Sequence, residues 1–77
     1  MQIITLDNLP LNSLGKIKAI RCGEHTKRRL LDLGLINGTK IKPILKNPMG
    51  DPTAYDVRGT TIAIREEDSN LIDVAIL

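Results

Sequence analysis

The stretch Lys27-Arg28-Arg29-Leu30-Leu31-Asp32-Leu33-Gly34-Leu35-Ile36-Asn37-Gly38-Thr39-Lys40-Ile41 decides the fold, because a helix signal, a stop signal and a strand start follow one another in it without a gap. Gly34 falls where a helix ending at Leu33 needs a left-handed residue, a conformation glycine adopts without the Cβ penalty. With Leu33 half-helical, Leu35 folds back on Leu30, the apolar clasp that accompanies such a cap. Asn37-Gly38 supplies a second reversal, and Lys40 opens an alternating run. The reading is a short helix feeding a strand at a fixed angle.

Working outward, Gly15 opens Lys16 to Arg21, with Ile17 and Ala19 on one face and lysines on the other, the period of a half-buried strand. Cys22-Gly23-Glu24-His25 reads as a connector into the helix. Upstream, Asp7 is a capping residue for one helical turn through Leu9-Pro10-Leu11, with Leu6 and Leu11 spaced as a hydrophobic staple. Downstream, Pro43 lacks an N–H and makes the strand Lys40 to Lys46 an edge or bulged one.

Asn47 to Pro52, with two prolines and a glycine, predicts a stiff surface loop. Arg58-Gly59 joins the runs Ala54 to Val57 and Thr60 to Ile64 as a tight hairpin. Arg65 to Asn70 is polar, one turn at most, and Ile72 to Ile76 alternates again.

These runs predict a mainly β domain over residues 1–77, a small, partly open barrel of about five strands with one intervening short helix. Closure removes edges that would otherwise pair with other chains. Seventy-seven residues bury only about 60% of the surface the unfolded chain exposes. With no Trp or Phe and a single Tyr55, the core must come from Leu, Ile and Val. Gly34, Gly38 and Gly59 are the structural glycines of this reading.

Eleven Lys plus Arg against nine Asp plus Glu give a net charge of +2 with the signs interspersed, too weak a balance to argue for nucleic acid by itself. A lone Cys22 rules out an internal disulfide and suits a reducing compartment. Met1-Gln2 lacks the basic start of a leader, and no run approaches the roughly 20 apolar residues of a membrane span. The expectation is a soluble, cytoplasmic protein.

The order of motifs is more specific than any one of them. Arg28-Arg29-Leu30 with Leu33-Gly34-Leu35 and Gly38, then Pro48 to Pro52, then Val57-Arg58-Gly59 with Ile62-Ala63-Ile64-Arg65, and finally Ile72-Asp73-Val74 together resemble the ferrous iron transport protein A (FeoA) family. The likeness runs from about Leu6 to Val74. It departs at Ser69-Asn70, where a small apolar residue is usual, and at Leu14, where a polar residue or Pro is commoner. The resemblance implies an SH3-like barrel and a small cytoplasmic accessory of bacterial ferrous iron uptake, acting by binding FeoB, a membrane transporter with a G-protein-like domain. It also admits a regulatory module like the C-terminal domain of iron-dependent repressors.

The candidate partner-binding residues are Lys27, Arg28, Arg29, Met49, Asp51 and Arg58. Placed in the first turn or so of the helix, the basic trio opposes the macrodipole, so local stability does not account for it. The bland alternative is that the arginine stems cover the core while their heads are solvated or paired with Glu24 or Asp51. Met49, at the tip of a stiff loop, is an apolar contact held at little entropic cost, or an ordinary loop residue. A groove for proline-rich peptides is disfavoured, since such grooves are lined with aromatics.

Cys22, Glu24 and His25 are the only metal-ligand candidates, but neighbours this close rarely converge on one ion. A buried thiol beside a surface His is the simpler reading, and no cofactor is expected. No triad spacing or phosphate loop appears, so no enzyme activity is expected. A small basic nucleic-acid-binding barrel, suggested by Lys16, Lys18, Arg21 and Lys27 to Arg29, lacks the aromatics on which such barrels stack bases.

Overall fold

A computed structural model describes residues 2–77; Met1 lies outside it. The elements in order are strand β1 (Ile3–Thr5), a 3-10 turn (Leu6–Asn8), β2 (Gly15–Ile20), helix α1 (Glu24–Asp32), β3 (Lys40–Lys46), β4 (Thr53–Val57), β5 (Thr60–Ile64), a one-turn helix α2 (Glu66–Ser69) and β6 (Ile72–Ile76). No helix among the described residues is long and apolar enough to cross a membrane.

The strands form one antiparallel sheet in the order β1-β6-β2-β3-β4-β5. Six strands replace the expected five because Ile3–Thr5 pairs with β6 as a short edge. β1 and β5 end the order without meeting, so the sheet curls without closing. The period-two pattern places Tyr55 and Val57 of β4, Ile62 and Ile64 of β5, and Ile72 and Val74 of β6 in one core. Each such aliphatic side chain contributes about 1.5–3 kcal/mol by leaving water. On β2, a Cβ at Gly15 would come within 3.0 Å of Leu9 Cδ2 and 3.4 Å of Val74 Cβ, so glycine permits the close approach there.

The corner after α1 follows the sequence reading. Leu33 caps the helix, and Gly34 takes φ +95°. The Leu35 N–H donates to the Leu30 carbonyl and the Gly34 N–H to the Leu31 carbonyl, both at 2.9 Å, the double bond of a Schellman cap. Leu30 and Leu35 are both buried, completing the clasp. Thr39 locks the second reversal: its hydroxyl donates to the Gly34 carbonyl at 3.1 Å and accepts from the Ile36 N–H at 3.2 Å.

Three expectations need correction. Helix α1 begins at Glu24, not after His25, because Gly23 enters it in extended conformation without a side-chain cap, and residue type gave no start signal. The first turn begins at Leu6 rather than after Asp7; Thr5 precedes it and receives a 2.9 Å bond from Asn8. Leu6 is therefore buried alongside Leu9, while Leu11 is exposed and forms no staple. Of the two alternatives for β3, edge or bulged, the second holds: β3 lies between β2 and β4, its register shifts by a bulge between Pro43 and Leu45, and the Pro43 carbonyl accepts from Asn12 at 2.7 Å.

Candidate functional site

Helix α1 presents different chemistry on two sides. With 3.6 residues per turn, Lys27 and Leu31 share one side and His25 and Arg29 another.

Lys27 and Leu31 face β2 across a groove of about 370 Å³ lined also by Ile17, Lys18, Ala19, Ile20, Leu35, Ile36 and Asn37. Six of these nine lining residues carry aliphatic side chains, and Leu31 and Ile36 remain 53% and 42% exposed. The groove arises because β3 pairs with β2 only at Gly15 and Lys16, and the turn before β3 bonds the backbone of Ile17. Beyond that point no strand among the described residues pairs with this side of β2, and the register shifts between Ile17 and Ala19 on its other side.

His25, Thr26 and Arg29 instead face a polar cleft of about 470 Å³ shared with Pro52, Ala63, Arg65, Glu67 and Asp68. Its charges are tied together. Arg29 Nη2 meets Asp68 Oδ2 at 3.3 Å, and Arg65 Nη1 meets Asp51 Oδ2 at 3.7 Å. Arg21, below the helix, holds Asp73 at 2.9 and 3.1 Å through two nitrogens.

The structure does not gather the six sequence-predicted contact residues. Lys27 lines the groove, Arg29 the cleft, and exposed Arg28 neither. The starting point at Glu24 also moves Arg29 into the last turn, where a cation is favoured by the macrodipole, and its partner is Asp68 rather than Glu24 or Asp51. Asp51 accepts from the Glu66 N–H at 2.9 Å and so caps α2. Met49 stands 90% exposed on a loop fixed by Asn47, whose Oδ1 accepts from the Met49 N–H at 2.8 Å and whose carbonyl accepts from Gly50 at 2.7 Å. Arg58, at φ +54° beside Gly59 at +81°, occupies the hairpin turn at the opposite end of β4.

Glu24 and His25 are exposed on the first turn of α1, whereas Cys22 is buried and its Sγ donates to the Asp68 carbonyl at 3.6 Å. Burial, then the Asp68 charge, pushes the thiol above its ordinary range. Among the described residues no three His, Cys, Asp or Glu side chains gather where they could share a metal ion. Burial likewise raises the Tyr55 phenol, with the Ser69 and Thr53 hydroxyls pulling the other way.

Sequence reasoning missed Leu31 and Ile36 as site residues and read Lys18 only as part of a basic nucleic-acid surface. The only signal for Leu31 and Ile36 was two apolar positions flanking the capped corner, which periodicity assigns to the core.

An open, antiparallel, six-stranded sheet with α1 set beside its second strand defines a small SH3-like β domain. The FeoA domain model matches residues 4–76, and the chain belongs to the FeoA family, that of ferrous iron transport. The FeoA protein of Chlorobium tepidum is 30% identical, with a TM-score of 0.92 over 96% of this chain and 70% of that one. The FeoA of Stenotrophomonas maltophilia, complexed with zinc and described as a procaryotic SH3 domain protein, is 26% identical, with a TM-score of 0.78 over 96% of this chain and 89% of that one. A manganese-dependent transcriptional repressor is similar at 12% identity and a TM-score of 0.87 over 97% of this chain and 42% of that one, a likeness of fold alone. No curated protein matches the chain.

Proposed function

We propose that this chain is a cytoplasmic accessory of ferrous iron uptake that binds a FeoB-type membrane transporter and modulates its activity. Membership of the FeoA family supports the transport context. The observation that carries the binding role is the groove between β2 and α1, where Leu31 and Ile36 stay largely in water beside a concave aliphatic wall. Scattered exposed aliphatics are ordinary; a contiguous concave set is the form protein contacts take.

The test is binding of the purified chain to the detergent-solubilised full-length transporter and, separately, to its isolated G domain. Leu31→Asp probes the groove, and Arg29→Glu and Met49→Asp probe the cleft and the loop. The proposal expects wild-type binding to the full-length transporter and its loss in Leu31→Asp with circular dichroism unchanged. Absence of binding to either form by the wild-type chain overturns it.

A further inference from the structure

The groove has an electrostatic character that its aliphatic walls alone do not convey. Two charged side chains line it, Lys18 from the β2 wall and Lys27 from the α1 wall, and no carboxylate does. Among the described residues neither lysine forms an ion pair, whereas Arg21, Arg29 and Arg65 each meet an aspartate. Lys18 is also half-buried. An occupant that seals the groove removes water from both ammonium groups, and a desolvated cation without a counter-charge is strongly disfavoured. Aliphatic surface supplies the attraction; the lysines decide which apolar surface is accepted.

We infer that the groove takes a short apolar segment of the transporter flanked by carboxylates. The aliphatic side chains of that segment lie between Ile20 on one wall and Leu31 and Ile36 on the other. Its Asp or Glu residues meet Lys18 and Lys27. The inference rests on the transporter reading above and adds the chemistry of the bound segment. A basic or uncharged apolar segment fits the walls equally well and leaves both lysines uncompensated, so charge separates these partners.

The experiment places a photo-crosslinking amino acid at Leu31, an exposed position, in the full-length chain and irradiates it with the solubilised transporter. Mass spectrometry of the product is expected to find an apolar transporter segment with Asp or Glu within a few residues. In parallel, the Lys18→Glu/Lys27→Glu double variant is expected to bind the transporter about tenfold more weakly or worse, and Lys18→Gln/Lys27→Gln to lose less. Wild-type binding is expected to weaken as salt rises. Correct folding of each variant is checked by its amide NMR spectrum.

A crosslinked segment that is basic or uncharged overturns the inference. So does a transporter that binds the charge-reversed variant as tightly as the wild type; in either case the transporter reading stands. If the crosslink forms with anionic lipid of added phosphatidylglycerol vesicles instead of the transporter, the groove is a membrane contact and the inference fails. Failure of the wild-type chain to bind the transporter at all removes the transporter reading itself, and the inference with it.

Discussion

On one side of α1, Arg29 meets Asp68 at 3.3 Å, and in the same cleft Arg65 meets Asp51 at 3.7 Å; on the other, Lys27 stands with Lys18 beside aliphatic walls and no carboxylate. The helix carries cations on both sides, yet only one side has its counter-charges built in. Paired charges in the cleft join α1, α2 and the loop ahead of β4 into one frame. The groove side leaves both its charge and its aliphatic surface unmatched among the described residues. Net charge, at +2, conceals this asymmetry.

The comparison breaks most plainly at Leu30, which is buried beneath both sides. Leu30→Ala should cost about 2–5 kcal/mol in urea unfolding, because truncation leaves a cavity at the Schellman clasp. Leu31→Asp, one residue on but exposed, should cost only about 1 kcal/mol, from lower helix propensity and an anion in the last turn. Titration against the solubilised transporter should show it losing at least tenfold in affinity, about 1.4 kcal/mol. If neighbouring leucines do not divide in this way, the contrast between core and groove is wrong.

Gly34→Ala comes next, at roughly 1 kcal/mol of thermal stability, since a residue at φ +95° must there accept a Cβ although no neighbour obstructs it. On the cleft side, Arg29→Ala should cost about 1 kcal/mol, and the loss should shrink in molar salt, because the arginine is largely exposed although Asp68 is mostly covered. A loss that ignores salt would mean that the arginine stem, not its charge, is what matters.

The smallest effect is a slope with pH. Cys22 and Tyr55 have folded pKa values above their ordinary ones, chiefly through burial. The unfolded chain therefore releases these protons first as pH rises. Their contribution is complete below the ordinary thiol and phenol ranges and is lost as pH climbs through the raised values. Denaturant midpoints should fall on the alkaline side of the thiol range, and less steeply in Cys22→Ala.

The corner around Gly34 was legible because its signals are local: a left-handed glycine, two flanking leucines and Asn37-Gly38 all act within a few residues. The Arg58-Gly59 hairpin was legible for the same reason. The start of α1 was not, because Gly23 offers no capping oxygen and Cys22 to His25 shows no helical apolar period. The groove was illegible for a different reason. It unites residues 17–20 with 27–37 only because β3 stops pairing at Lys16, a long-range event with no mark in the sequence. Periodicity separates apolar from polar faces, and Leu31 and Ile36 are apolar residues that the chain itself leaves uncovered.

That short pairing of β2 with β3 has a mechanical side. Gly15 opposite Ile41 and Lys16 opposite Lys40, with the adjoining bonds at Ile17, are the ladder between β1-β6-β2 and β3-β4-β5. The molecule is thus two three-stranded leaves on a narrow spine, held together more by shared side chains than by shared backbone. The groove begins where that spine ends, at Ile17, so it lies along the seam that the sheet's own backbone leaves unstitched.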